Sequence, residues 1–253
     1  SVVRVAIEGD HYRASLDVAL LVRRLLALAP DEQTKKVTID WAAPSFALVQ
    51  RPDGLWRFWD HRVPKLVFEV DGQRTELTTD GIDFEGLTDP TTGASPMMKG
   101  RFGRISATST IKKPDEPLSI VSENTSADVV FDGSSKPGAA PGSLDATVRE
   151  TTGSMLYAVD ISGGMAGGVP DMRLALTGGK QEQTSTIKGI RQTALLDLWA
   201  GLVSSSDLVA NQGALKAKIS AALPVLDEMT HETVARDFSF ESPFGIAKAE
   251  KAA

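Results

Sequence analysis

The sequence predicts an α+β protein built on a large, curved antiparallel β-sheet with a few packed helices. Three observations carry that expectation. Many short runs alternate apolar and polar residues, Asp-Gly steps stand between such runs, and a few segments repeat their apolar residues at helical spacing.

Ser1 to Glu8 opens the chain without an initiator Met and on a strand-like alternation, which reads as a cut inside a longer protein, by loss of a signal peptide, loss of an anchor or an arbitrary boundary. From Tyr12 to Ala29 the residues Leu16, Ala19, Leu20, Val22, Leu25, Leu26 and Leu28 recur at helical spacing, and Pro30 stops the run. This predicts a helix with a broad buried face. Lys36 to Trp41, Leu66 to Val70 and Arg74 to Thr78 alternate at period two. The Asp71-Gly72 step between the last two predicts a hairpin, because that pair accepts the positive φ of a tight turn. In Leu55 to Asp60, Trp56 and Phe58 share one strand face, whereas Trp59 points with Arg57 to the other. Strands are also predicted at Arg104 to Ile111 and Leu118 to Val121.

Gly133 to Ser143 holds five Gly or Pro in eleven positions and reads as a flexible loop. Strands resume at Asp145 to Arg149, Met155 to Ile161 and Met172 to Thr177, with a turn at Ser162 to Gly168. Two helices follow, Thr193 to Val203 and Gln212 to Leu223, the second ended by Pro224. A hairpin of Val234 to Phe240 and Phe244 to Ala247 turns at Ser242-Pro243. The expected organisation is a single elongated domain over 1–253, with a loose rhythm of two related halves and a flexible segment at 133–143.

The 253 residues include no cysteine, so disulfide and thiolate chemistry are excluded. A net charge of -6 and the lack of any Lys/Arg cluster argue against a nucleic-acid partner. No window approaches the roughly 18 apolar residues that a spanning helix needs. His11, His61 and His231 have no second ligand at metal-binding spacing, and His231 is placed near a helix end; no metal and no cofactor are expected. Gly93-Ala94-Ser95-Pro96 lacks the second glycine of a serine nucleophile elbow, and Gly163 to Gly168 lacks the Gly-Lys-Ser/Thr of a phosphate loop. Asp83 with Glu85, and Asp115 with Glu116, are the nearest things to paired carboxylates.

One concentration stands out. Trp41, Phe46, Trp56, Phe58 and Trp59 fall within nineteen positions of a chain only 6% aromatic. With Trp199 they are the candidate lining of an apolar groove. The expected function is therefore noncatalytic, either binding of a lipid-like ligand or service as an interaction scaffold for a protein partner. The rival is a carbohydrate or ester hydrolase whose site is assembled from distant carboxylates and His61.

The phrases Tyr157-Ala158-Val159-Asp160-Ile161-Ser162-Gly163-Gly164 and Asp80-Gly81-Ile82-Asp83-Phe84-Glu85-Gly86-Leu87, with a late helix pair before a terminal hairpin, resemble the DUF2125 family of Gram-negative envelope proteins. The DUF945 proteins are a more distant likeness. The resemblance implies a periplasm-facing protein, associated with the membrane through a missing N-terminal segment, with an envelope protein or lipid as partner. It supplies no site residue.

Overall fold

The computed structural model describes residues 1–26, 37–112, 118–163, 170–205 and 207–252. The α+β expectation is corrected: the protein is mainly β, 61% strand and 14% helix, one large antiparallel sheet with three helices among the described residues. The excess of strand lies in polar segments such as Gln181 to Ile190, whose Thr, Ser and Gln carry no apolar alternation.

The chain opens with β1 (Val3–Glu8) and β2 (His11–Leu16), then α1 (Val18–Leu26). The helix predicted from Tyr12 thus starts later, because Tyr12, Ala14 and Leu16 alternate and pair with β1. Asp17 begins the helix: its Oδ1 accepts the Leu20 N–H at 2.9 Å, an N-cap. The predicted end at Ala27 to Pro30, and Lys36, lie outside the described residues.

The next strands are β3 (Val37–Trp41), β4 (Ser45–Gln50), β5 (Trp56–Arg62), β6 (Leu66–Val70), β7 (Gln73–Asp80), β8 (Asp83–Thr88), β9 (Met97–Lys112) and β10 (Ser119–Pro137). Asp71 and Gly72 have φ of 47° and 80°, the left-handed pair expected between β6 and β7. After β11 (Leu144–Thr152), β12 (Ser154–Ser162), β13 (Met172–Gly178) and β14 (Gln181–Ile190) come α2 (Gln192–Ser204) and α3 (Gln212–Ala222). The chain closes with β15 (Glu228–Ser242) and β16 (Gly245–Ala252). Part of the expected flexible loop is sheet: Gly133 to Pro137 pair with Leu144 to Val148. Gly133 is there for close packing, since a methyl group on it would lie 3.3 Å from the Thr147 carbonyl.

Registers show that several strand couples are single long strands broken once. Val130 faces Thr151 and, across the break at Gly153, Ala127 faces Ser154. Likewise Asp80 faces Arg104 and Asp83 faces Arg101, while Thr152 faces Gln181 and Met155 faces Gly178. The breaks line up as a seam across the sheet. Asp60, Gly81, Asp128 and Asp237 adopt φ of 50°, 62°, 52° and 57°. Glycines stand opposite: the Gly103 N–H donates to Gly81 O at 3.3 Å, Gly153 to Ala127 O at 2.9 Å and Gly179 to Arg236 O at 3.0 Å. Apolar residues change parity at this seam, from Leu144, Ala146 and Val148 on β11 to Met155, Tyr157, Val159 and Ile161 on β12.

Among the described residues β1, β3 and β16 each pair on one side only and form free edges of the sheet. Helix α1 leans on β3, and Arg24 Nη1 donates to the Val203 carbonyl at the end of α2, 3.2 Å away. The core is thin. Among the described residues its wholly buried positions are small ones such as Ala47 and Ala158, and Val2 is the largest of them. The accessible surface is 15184 Å², against about 11,000 Å² for a compact monomer of this mass. No helix among the described residues is long and apolar enough to cross a membrane.

Candidate functional site: an aromatic row across the sheet

Phe58 on β5 faces Gly86 on β8, and the glycine leaves the ring room to lie flat: a methyl group on Gly86 would sit 2.1 Å from Phe58 Cζ. Gly100 on β9 plays the same part for two rings at once. It faces Phe84 on one side and Phe131 on the other, and a methyl there would meet them at 2.7 Å and 2.2 Å. Rings laid over cross-strand glycines make a continuous row. Phe58 and Phe84 are 5.5 Å apart, Phe84 and Phe131 4.9 Å, and Phe131 and Phe102 6.0 Å.

His61 sits inside the row. Left-handed Asp60 re-aims the strand, so His61 lies on the side of Phe58 rather than with Trp59. Its ring meets Phe84 edge-on at 4.5 Å and stacks on Phe46 at 5.5 Å. Burial pushes its pKa below the usual histidine value, opposed by a hydrogen bond to the Phe84 backbone. Nδ1 is buried and finds no hydrogen-bond partner among the described residues. At the β2 end, Tyr12 approaches Trp56 at 6.1 Å. From β2 through β4, β5, β8 and β9 to β10, five strand spacings give a length of about 24 Å.

The reverse face is charged. Arg57 bridges Glu85 at 2.9 Å and covers the Trp59 ring at 5.0 Å; Arg101 approaches Asp128 at 3.5 Å and Lys99 approaches Asp132 at 3.9 Å. Asp60 turns to Arg13 and Arg62, and the hydrogen bond from Arg13 holds its carboxyl below the ordinary aspartate range.

Of the six candidate residues, the structure brings Phe46, Trp56 and Phe58 together. Trp59 lies on the opposite face against His11, at 5.3 Å. Trp41 lies beyond the seam, opposite Leu66, its indole N–H donating to Pro64 O at 3.0 Å. Trp199 is on α2, partly exposed. Sequence reasoning missed Tyr12, Phe84, Phe102 and Phe131; the glycine under Phe84 and Phe131 is Gly100 on another strand, so no local signal marks them.

The other candidates are dispersed. His231 is not near a helix end but inside β15, which starts earlier than its apolar pattern; Nδ1 pairs with Ser185 Oγ at 2.9 Å and Nε2 with Thr233 Oγ1 at 2.7 Å. Asp115, Glu116 and residues 164–169 lie outside the described residues. Among the described residues no cluster of three or more His, Asp or Glu could hold a metal ion. Hollows open elsewhere, one of about 370 Å³ between α2 and α3 beside Leu208 and Leu215, another of about 200 Å³ between α1 and β3 beside Val22 and Ile39. No protein-family model, no curated protein and no solved structure matches the chain.

Proposed function

We propose that the protein is a noncatalytic binder whose aromatic row receives an extended apolar ligand of the acyl-chain type, laid across the strands. The observation that carries this reading is the separation of the two faces. Rings from β2 to β10 form one strip of about 24 Å, Phe46 and Tyr12 at its end remain more than a third exposed, and the ion pairs stand on the reverse side. Acyl chains gain from flat apolar contact and need no polar partner, which suits such a strip. The rings around His61 and the turning of Asp60 to Arg13 support binding over hydrolysis. The resemblance to envelope proteins supports a place in the bacterial envelope, facing the periplasm.

Native mass spectrometry on detergent-free protein, with lipid extraction, tests the reading; a co-purifying lipid is expected. Palmitate titrated into the apo protein should quench tryptophan fluorescence. Gly100→Ala, which displaces Phe84 and Phe131, should weaken palmitate binding about tenfold or more while the far-UV circular dichroism keeps its strand signature. A lipid-free mass together with no palmitate response would sink the ligand reading and leave a protein partner for this face.

A further inference from the structure

The free edges of the sheet are guarded differently, and β3 has α1 beside it. β16 carries Lys248, the common protection of an exposed edge. β1 carries Arg4 and Glu8, opposite in sign, and presents Val5 and Ile7 at 61% and 79% exposure. The turn that joins β1 to β2 has two residues, with Gly9 at φ 67°, and it closes on the pair Glu8 and His11. Such a turn closes on a hydrogen-bonded pair, so alternation fixes the rest: Arg4, Ala6 and Glu8 direct their backbone groups to β2, while Val3, Val5 and Ile7 direct theirs outward.

We infer that β1 is a dimerisation edge, pairing antiparallel with β1 of a second copy about a twofold axis through Ala6. In that register Val5 faces the partner's Ile7, and these are the residues whose N–H and C=O groups point outward. Arg4 then faces the partner's Glu8 in the closer, non-hydrogen-bonded pairs, twice by symmetry. A shift of two residues sets Arg4 or Glu8 opposite Ala6 and loses both charge pairs. In-register parallel pairing sets like charges together. Arg4 is placed to make the contact, since its side chain is exposed and its bridge to Asp17 is 3.6 Å long. On the apolar side Val5 and Ile7 continue Ala14 and Tyr12, which in turn face Phe46 and Leu48, so pairing joins two aromatic faces into one. The inference does not depend on a ligand for that face.

Sedimentation equilibrium on the whole 253-residue chain should show a monomer–dimer equilibrium. In this cysteine-free protein Ala6→Cys should cross-link to itself on mild oxidation, because the axis places two copies of that position at disulfide distance; Ala249→Cys on β16 should not. Arg4→Glu and Glu8→Arg each put like charges opposite at two places and should weaken the dimer about tenfold or more. An equal mixture of the two variants restores unlike charges at both places and should recover the dimer. Thermal melts by circular dichroism identify any variant that has merely unfolded, which matters for Glu8→Arg because Glu8 also holds Arg13 at 2.7 Å. A wild type that stays monomeric at every concentration overturns the inference, as does a dimer indifferent to Arg4→Glu or an Ala6→Cys protein that fails to cross-link.

Discussion

At the residue scale, His61 is the group whose surroundings set a measurable pH dependence. Desolvation among Phe46, Phe58 and Phe84 lowers its pKa from 6.5 in spite of the hydrogen bond to the Phe84 backbone. Above pH 6.5 both folded and unfolded chains keep this ring neutral. As the pH falls below that value the unfolded chain takes up a proton first, so stability declines until the pH reaches the lower folded pKa and then levels off. Asp60 and Glu76 act in a separate window. Hydrogen bonds from Arg13 and Lys65 respectively lower their pKa values, so their contribution is lost only as the pH falls below the ordinary carboxylate range. Melting temperature followed from pH 7.5 down to pH 5 should therefore fall before any carboxylate titrates, and His61→Phe should flatten that part of the profile. A wild-type curve that is level across this interval would show that the ring is solvated.

At the scale of elements, the seam decides how far each strand keeps its alternation. Asp128 holds φ at 52° while its Cβ lies against Gly153, where an added methyl would approach to 2.9 Å. A β-branched residue resists that backbone region, so Asp128→Val should lose about 1–3 kcal/mol in urea denaturation. Asp128→Gly should lose much less, since glycine accepts the conformation; equal losses would mean that the Arg101 contact, rather than the turn, matters. The seam also explains which elements were legible. The Asp71-Gly72 hairpin, α2 and α3 could be read because their signals are local. Tyr12 to Leu16 was misread because Leu16 fits both a period of two and a helical stripe, and the capping Asp17 was the mark that separates them. β14 has too few apolar residues to show a period, and Gly133 to Pro137 look like a loop until their partners Leu144 to Val148 are known. Within the aromatic row, the parity of Trp56, Phe58 and Trp59 was legible from strand alternation. Phe84, Phe102 and Phe131 were not, because only pairing across β8, β9 and β10 brings distant positions to one glycine.

At the scale of the molecule, the thin core has a thermodynamic signature. A chain of this mass exposes about 39,000 Å² when unfolded, and compact folding leaves about 11,000 Å² accessible. Here the folded chain leaves 15184 Å², so unfolding uncovers about 15% less surface than it would in a compact protein of equal length. Heat capacity change and urea m-value both scale with that difference. Calorimetry on dilute, ligand-free protein should therefore give a heat capacity increment about 15% below the usual 12–15 cal/mol/K per residue. Covering the aromatic row removes a small part of that deficit: palmitate binding should carry a negative heat capacity change, and the complex should melt at a higher temperature as ligand excess rises. An apo protein with the full increment would mean that the open faces are already covered in solution.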